Sequence, residues 1–366
     1  MPAWSLPPSR RERTNGEDLR QRDGLLMRAL QLLDNRTLAV VEMAEPPPPG
    51  AGEVQVAIGA VALNHIDVWG WRGMAFAKRK LPIVIGAEAA GTIVAVGEGV
   101  SRKVGETVAI FGADTCGRCA ACLAGRDNFC ENVAGIRGFH VDGLARERVN
   151  IAARLVVPAP KGVGVVEAAC APITYGTVEH MLFDNAHLAA GQSVLVQAGG
   201  SGIGTAAIQL AKAVGATVIT TVSTDEKAAK AKALGADHVI NYKQDRFEGV
   251  VRKITGKRGV DVVFEHVGPD TFAQSMFCLK RGGTLVTCGS TTGVSTEINL
   301  FQLYQRQLRL IGSFGCNLGN VATVLGKMAA GLARPVIDTT ISLADIDAAL
   351  ARLESRNVFG KIIVTL

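Results

Sequence analysis

The spacing of hydrophobic positions changes between the two halves of the chain. In the first half, short runs alternate with polar residues or are rich in β-branched residues, as at 53–64, 90–100 and 105–111, and Gly and Pro separate them. Many short strands bounded by turn residues are typical of a barrel-like β domain. We therefore predict a β-rich domain over residues 27–157.

From residue 193 onward, strand-like and helix-like segments alternate. A buried-strand pattern at 193–199 precedes a helical pattern at 203–216, and a second strand at 217–222 precedes a helical pattern at 225–236. Strands that alternate with helices of this length predict βαβ units and a parallel sheet covered on both faces. The expected fold class is α/β, with a β-rich domain beside a doubly wound parallel sheet.

Composition narrows the class of protein. With 48% hydrophobic residues the chain can bury sizeable cores, yet no apolar run reaches the roughly 18–20 residues of a membrane span. The net charge is +6, and arginines crowd the first 28 residues, but no basic-aromatic stripe of a nucleic-acid binder is present. We expect a small-molecule substrate, with neither membrane nor nucleic acid as partner. Residues 1–26 are interpreted as a disordered tail, or as the result of a start placed upstream of Met27.

A glycine-rich turn follows the strand at 193–198 and opens the next helix. A dinucleotide site needs this context, because the backbone must turn tightly and aim helix N–H groups at the phosphates. A purely structural turn is the alternative. The residues predicted to bind the cofactor here are Gly199, Gly200, Ser201, Gly202, Ile203 and Gly204.

The end of the second strand predicts which dinucleotide binds. NAD enzymes place an acidic residue there, on the ribose 2′-hydroxyl, whereas this chain has Ser223 and Thr224, with Lys227 shortly after. Hydroxyls and an ammonium accept a 2′-phosphate, so we predict NADPH, although Asp225 is close by. Ser223 is also a candidate helix N-cap, with Glu226 completing a capping box.

Four of the eight cysteines lie within one short loop, at Cys116, Cys119, Cys122 and Cys130. Four thiolates at such spacings can surround a tetrahedral zinc ion and leave no position for substrate, which predicts a structural zinc site. An iron–sulfur cluster is the alternative. The other cysteines are scattered in apolar runs, so a reducing cytoplasm fits better than a disulfide scaffold.

Several long motifs, in order, resemble the medium-chain dehydrogenase/reductase superfamily, which includes zinc alcohol dehydrogenases and quinone oxidoreductases. They are ALNHIDVW (62–69), LPIVIGAEAAGTIVAVGEGV (81–100), VLVQAGGSGIGTAAIQLAK (194–212), ALGADHVINY (233–242) and the closing GKIIVTL. The resemblance implies a GroES-like domain with an inserted Rossmann domain. We therefore expect a catalytic domain at 27–157, an NADP-binding domain at 158–315, and a return to the catalytic domain at 316–366.

The resemblance fails at the catalytic zinc ligands. Asn64 stands at the Cys of the family's Cys-x-x-Asp motif, with Asp67 retained, and Ala87 stands at the His of its Gly-His-Glu motif, with Glu88 retained. Without those ligands there is no Lewis acid for alcohol chemistry. The zinc-free branch resembles quinone oxidoreductases and enoyl reductases. It implies that Asn64 positions substrate or nicotinamide, and that Thr174 and Thr177 flank the nicotinamide.

A sharper local likeness, in 136–147 and 260–293, is to crotonyl-CoA carboxylase/reductases. The family's carbon-dioxide pocket is matched by Asn64, Phe139 and His266, but His140 replaces its Glu, so we do not predict carboxylation. His140 and His266 are candidate catalytic residues, with interior or loop histidines as the alternative. His65 is expected along the strand of Asn64, and His180 and His187 at the surface.

The leading hypothesis is NADPH-dependent reduction of an enone, quinone or enoyl thioester in the cleft between the domains. One alternative is an alcohol or aldehyde oxidoreductase with ligands drawn from Asp67, Glu88 and nearby histidines, and another is a non-enzymatic NADPH-binding protein. Relatives pair their Rossmann sheets through the last strand, which corresponds to residues 308–314, so the resemblance implies a homodimer.

Overall fold

The computed structural model describes residues 25–73 and 79–366. Most of the predicted N-terminal tail therefore lies outside the described residues, and the first strand begins at Leu26. None of the helices in the described ranges is long and apolar enough to cross a membrane.

Strands and helices follow one another in the order that the hydrophobic pattern predicts. The strands are β1 (Leu26–Asp34), β2 (Thr37–Ala44), β3 (Glu53–Ala62), β4 (Ile83–Val84), β5 (Ala89–Val96), β6 (Thr107–Ile110), β7 (Arg148–Ala152), β8 (Val156–Pro158), β9 (Ser193–Val196), β10 (Thr217–Val222), β11 (His238–Asn241), β12 (Val260–Glu265), β13 (Leu279–Thr287), β14 (Arg309–Gly312), β15 (Ile337–Ile341) and β16 (Lys361–Thr365). The helices are α1 (His65–Trp71), α2 (Ala120–Leu123), α3 (Val165–Ala169), α4 (Gly176–Glu179), α5 (Gly202–Ala213), α6 (Asp225–Ala233), α7 (Phe247–Ile254), α8 (Pro269–Cys278), α9 (Leu300–Gln305), α10 (Leu318–Ala329) and α11 (Ile346–Glu354).

The β-rich domain is built on a seven-stranded sheet. Its strand order is β15-β16-β3-β5-β6-β8, with β7 also paired to β3, and β1, β2 and β4 form a smaller sheet beside it. The last strand of the chain, β16, runs antiparallel to β3, with Ile363 opposite Ala62. This pairing brings the end of the chain next to the residues that follow β3, including Asn64.

The second sheet is parallel throughout and has the order β11-β10-β9-β12-β13-β14. Both faces of β9 are buried, because Val194 and Val196 belong to one hydrophobic cluster and Leu195 to another. Alternate side chains on a strand point to opposite faces, so a continuous apolar run marks a strand covered on both sides. The predicted α/β fold class, a GroES-like β domain with a Rossmann-type sheet, is confirmed.

Candidate active site

A cavity of about 710 Å³ lies where the two domains meet. Its wall contains residues that follow four neighbouring parallel strands: Gln197, Ser223, His266 and Cys288 come after β9, β10, β12 and β13. Asn64 from the β-rich domain faces them. The strand order reverses around β9, and ligands of open α/β sheets bind at the carboxyl edge at such a point.

The glycine-rich turn between β9 and α5 is tightly packed. A Cβ on Gly199 would lie 2.2 Å from Thr220 Oγ1, and a Cβ on Gly204 would lie 2.3 Å from the carbonyl oxygen of Ala198. Ser201 is the helix N-cap, since its Oγ accepts from Gly204 N at 3.0 Å. Of the predicted turn residues, those that line the cavity are Gly200, Ser201, Gly202 and Ile203. Gly199 and Gly204 instead allow the close approach of strand and helix.

The start of helix α6 differs from the expected capping box. Thr224, not Ser223, is the N-cap, and its hydroxyl accepts from Lys227 N at 3.2 Å. Ser223 does not cap the helix and instead lines the cavity. Asp225 accepts from Asn241 Nδ2 at 2.8 Å and does not belong to the cavity wall. The position directly after β10 therefore carries no carboxylate, and the acidic wall residue nearest in sequence, Asp245, follows β11.

A cationic corner of the cavity lies beside Ser223. Lys227, Tyr242 and Arg356 line it, and Lys227 Nζ donates to the carbonyl oxygen of Arg356 at 2.8 Å. Burial lowers the pKa of Lys227. Hydroxyls, an ammonium and a guanidinium together form a set of donors for a phosphate.

A buried polar cluster occupies the wall where Asn64 meets the end of the chain. Lys361 Nζ lies 2.8 Å from Asn64 Oδ1, 3.0 Å from Glu88 Oε2 and 2.7 Å from the carbonyl oxygen of Leu63. The side chains of Lys361 and Glu88 are 3% and 0% exposed. Thr174 Oγ1 donates to Glu88 Oε2 at 2.8 Å. Lys361 was not predicted as a site residue from the sequence, although the GKIIVTL segment contains it.

This cluster changes the roles predicted for Asn64 and Thr174. Asn64 Nδ2 donates to the carbonyl oxygen of Ala62 at 3.0 Å and to Glu88 Oε2 at 2.9 Å, so both of its hydrogens are used inside the protein. Thr174 is fully buried and lies outside the cavity wall. Its hydroxyl points to Glu88 and donates a hydrogen bond to it. Thr177 does line the cavity. Asn64 therefore faces the cavity as part of a bonded cluster, without a free amide donor.

Asp67 lies behind Asn64, next to the position where the family's zinc ligand is replaced by alanine. Its Oδ2 accepts from Asn64 N at 2.8 Å, and its Oδ1 has no hydrogen-bond partner within the described part of the chain. Burial raises the pKa of Asp67 to about 6, and its neighbour Lys361 opposes that rise.

Two histidines line the cavity. His266 Nε2 lies 2.9 Å from the carbonyl oxygen of Gln197 and must donate to it, so this nitrogen carries the proton. Burial lowers the pKa of His266. His65, expected along a strand, is instead the first residue of α1. Burial lowers the pKa of His65 to about 4, helped by the electrostatic influence of His266 and of the cations Arg356, Lys361 and Arg72.

His187 is exposed, as predicted, but His140 and His180 lie in surroundings other than those predicted. His140 is exposed, its Nδ1 accepts from Ile136 N at 3.2 Å, and it does not belong to the cavity wall. Phe139 is buried away from the cavity, with the Arg79 guanidinium 5.3 Å from its ring centre. His180, expected at the surface, is buried and hydrogen-bonded to Asp184 and Asn128.

The four cysteines of the loop converge. The sulfur atoms of Cys116, Cys119, Cys122 and Cys130 all lie within 4.8 Å of one another, and no other group of three or more potential ligands was found among the described residues. Backbone N–H groups lower the pKa of Cys116 to about 6, whereas burial raises that of Cys122 to about 12. A bound cation would favour the thiolate form of all four.

Two family models and several known proteins match most of the chain. The alcohol dehydrogenase GroES-like domain model matches residues 50–161, and the zinc-binding dehydrogenase model matches residues 202–330. The chain is 31% identical to the crotonyl-CoA carboxylase/reductase of Cereibacter sphaeroides, over 86% of this chain and 80% of that one. It is 29% identical to the acryloyl-coenzyme A reductase of Sulfurisphaera tokodaii, over 88% of this chain and 95% of that one. Among solved structures, an NAD-dependent alcohol dehydrogenase superposes with a TM-score of 0.88 at 36% identity, covering 93% of this chain and all of that one.

Fold, cavity and relatives together define an oxidoreductase that works with a nicotinamide cofactor. The chain belongs to the medium-chain dehydrogenase/reductase superfamily, as its motifs suggested.

Proposed function

We propose that this protein reduces an activated C=C bond, in an enone, quinone or enoyl thioester, with NADPH as the hydride donor. The observation that carries the proposal is the buried cluster around Lys361. Asn64 stands at one position of the family's metal ligands, Ala87 at another, and an ammonium lies between Asn64 and Glu88. A catalytic zinc ion does not fit these side chains, because an amide and a methyl group stand where the family has a thiolate and an imidazole.

The cationic corner supports NADPH. Ser223, Lys227 and Arg356 offer donors to a 2′-phosphate, and Ser223 stands directly after β10, where NAD enzymes carry an acidic residue. Tyr242, which lies beside them, was not predicted from the sequence.

When bound, NADPH supplies the hydride, which adds to the β-carbon and leaves negative charge on the carbonyl oxygen of the substrate. Trp69, Phe111 and Ile173 line the cavity and exclude water from that charge. His266 holds its Nε2 proton on the Gln197 carbonyl oxygen. The proton that completes the reduction is therefore assigned to solvent water and no longer to His140, since His65, with its pKa lowered to about 4, is neutral near pH 7.

Steady-state assays with crotonyl-CoA, a small enone and benzoquinone test the proposal against ethanol with NADP⁺. We expect NADPH oxidation with at least one unsaturated acceptor. We expect no reduction of NADP⁺ when ethanol is the substrate. Lys227→Ala should raise the KM for NADPH about tenfold, as expected for a lost charged hydrogen bond, and leave that for NADH unchanged. Lys230→Ala, on the same helix and paired with Glu226, is the matched control. Ethanol oxidation together with two zinc ions per chain would instead favour an alcohol dehydrogenase with atypical ligands.

The proposal also includes a structural zinc ion held by Cys116, Cys119, Cys122 and Cys130. Four sulfur atoms within 4.8 Å of one another suit a tetrahedral ion with Zn–S bonds of about 2.3 Å. Elemental analysis should give one zinc per chain, and one or more iron atoms with acid-labile sulfide would point to the rival cluster.

A homodimer through the edge strand β14 completes the proposal. Around this edge, large apolar side chains are exposed: Val294 at 70%, Leu300 at 68%, Phe301 at 59%, Tyr304 at 67% and Phe314 at 67%. An open sheet edge flanked by apolar residues needs cover. Sedimentation should give a dimer that Phe301→Asp weakens, while Val104→Asp, at an exposed site elsewhere, leaves it intact.

A further inference from the structure

Asn128 brings the four-cysteine loop to the wall of the cavity. It lies between Cys122 and Cys130 in the sequence and lines the cavity from the side of the β-rich domain. Residues 314–316 line the same cavity and come just after β14. They therefore belong to the carboxyl edge of the parallel sheet, where ligands of open α/β sheets bind.

The amide of Asn128 joins the loop to segment 314–316. Its Nδ2 donates to the carbonyl oxygen of Phe314 at 3.3 Å and lies 3.1 Å from His180 Nε2. His180 Nδ1 lies 2.7 Å from Asp184 Oδ2, and a carboxylate only accepts, so Nδ1 carries the proton and Nε2 accepts from Asn128. Both hydrogens of the amide are therefore used, one on each partner.

These two acceptors fix the orientation of the amide. If the amide were turned over, Asn128 Oδ1 would face the carbonyl oxygen of Phe314, and two acceptors repel each other. In the observed orientation, Oδ1 is buried and has no hydrogen-bond partner among the residues that the structure describes. An unpaired buried acceptor is unfavourable. The contact with Phe314 is thus kept although it leaves the other end of the amide unsatisfied.

The loop also holds the helix that follows segment 314–316. Asp127 Oδ2 accepts from Leu318 N at 3.1 Å, and Asn128 N donates to Asn317 Oδ1 at 3.4 Å. Asn317 is the N-cap of α10. Segment 314–316 is therefore bonded to the loop at both ends, at Phe314 and at the start of α10. Its position depends on the shape of the loop, which a metal ion on the four cysteines would fix.

We propose that Asn128 is a positioning residue that couples the metal site of the four-cysteine loop to the cofactor site in the cavity. Metal on the loop fixes Asp127 and Asn128, and these hold segment 314–316 in place as a preformed wall for the nicotinamide cofactor. Because the coupling free energy is shared, each site must change the affinity of the other by the same factor. This inference rests on the structural zinc ion of the proposed function, but not on the reduction of a C=C bond.

A thermodynamic cycle measures the coupling. The Kd for NADPH is determined from the fluorescence of the bound cofactor, with zinc-loaded and zinc-depleted protein, for the unaltered chain and for Asn128→Ala. Removal of zinc should raise the Kd about tenfold in the unaltered protein, as is usual for coupled sites, and less than about twofold in the variant. An equal effect of zinc removal in both proteins, or no effect in the unaltered protein, would overturn the proposal.

The reciprocal measurement starts from folded, zinc-loaded protein, so it does not require the depleted form to be stable. A chromophoric chelator competes for the zinc ion with and without saturating NADPH. NADPH should raise the zinc affinity of the unaltered protein by the same factor of about ten, and that of Asn128→Ala by less than about twofold. A zinc affinity that NADPH leaves unchanged in the unaltered protein would show that the two sites are independent.

Asn185→Ala is the matched control. Asn185 Nδ2 donates to Ser313 Oγ at 3.0 Å, so this amide supports the same sheet edge from a helix and not from the four-cysteine loop. The variant should keep the full mutual effect of zinc and NADPH, and its loss here too would mean that the coupling does not run through Asn128. NADH serves equally in the cycle, because the coupling does not involve the 2′-phosphate. Protein that shows the coupling but oxidises NADPH with none of the acceptors would contradict the proposed reduction alone.

Discussion

The four-cysteine loop and the cluster around Lys361 both bring polar side chains to a single point, but the chain builds them in opposite ways. The loop gathers its sulfur atoms within one stretch, from Cys116 to Cys130, and leaves them partly exposed. The cluster joins Asn64 and Lys361 from positions 297 residues apart and buries the side chains of Lys361 and Glu88. The loop offers thiolate ligands to a metal ion taken up from solution. The cluster already contains a cation, the Lys361 ammonium. We therefore expect the loop to depend on metal and the cluster to depend on charge balance.

The largest effect is expected from unbalancing the cluster. Glu88→Gln keeps the shape but leaves the buried Lys361 ammonium without its counter-charge, which should cost about 4 kcal/mol of unfolding free energy. Glu179→Gln is the matched control, because Glu179 pairs with Lys327 at 2.7 Å and the Lys327 side chain is 24% exposed. The control should lose about 1 kcal/mol. Urea denaturation measures both, and equal losses would mean that the cluster is no more sensitive to charge than an ordinary partly buried pair.

Metal removal should affect the loop and leave the cluster intact. Cys119→Ser, or a strong chelator, is expected to remove the zinc ion and to cost about 3 kcal/mol, since loss of a structural metal belongs to the large single-site effects. Calorimetry before and after readdition of Zn²⁺ measures this. Chelation that leaves the melting temperature unchanged would contradict a structural role for the loop.

The same contrast explains which parts could be predicted from sequence. The loop is encoded locally, so the spacing of Cys116, Cys119, Cys122 and Cys130 is enough to propose it. The parallel sheet is also encoded locally, because runs such as 194–196 are continuously apolar and a glycine-rich turn begins three residues later, at Gly199. Both features depend on residues that are close in the sequence, so their spacing and hydrophobicity can be recognised without the structure.

The cluster could not be predicted, since its partners meet through the pairing of β3 with the last strand, β16. Nothing near Lys361 indicates that its ammonium reaches Asn64. The hydrogen bonds of Asn64 with Glu88 and Lys361 could not be predicted for the same reason. His140 was misplaced for a related reason, as the direction of a loop side chain depends on packing that the sequence does not display.

Acid titration should distinguish two groups that border the cluster. The pKa of Asp67 is raised to about 6, so the folded state binds its proton more readily, and Asp67 favours folding increasingly as the pH falls from 6 toward 4. The pKa of His65 is lowered to about 4, so its contribution has the opposite sign and is lost as the pH falls from about 6.5 toward 4.

Relative to the unaltered protein, Asp67→Asn should therefore lose stability toward pH 4 and His65→Gln should gain it. Each change is expected to be on the order of 2 kcal/mol. Urea denaturation at several pH values measures both slopes, and slopes of the same sign would show that burial does not shift the two groups apart. Metal depletion of the four-cysteine loop should leave both slopes unchanged.

The smallest effect concerns the attachment of the loop to the rest of the molecule. Asp127, between Cys122 and Cys130, is buried, and its Oδ2 accepts from Leu318 N, the first residue of α10, at 3.1 Å. Asp127→Ala should cost about 1 kcal/mol, the usual loss when a helix-start N–H loses its acceptor. Asp347→Ala, an exposed acid in the first turn of α11, should cost a few tenths of a kcal/mol. Because the metal ion is expected to hold Asp127 in place, the larger loss should shrink toward the smaller one in zinc-free protein. An undiminished loss without zinc would mean that the loop keeps its shape unaided, and that its dependence on a cation is weaker than the contrast with the Lys361 cluster implies.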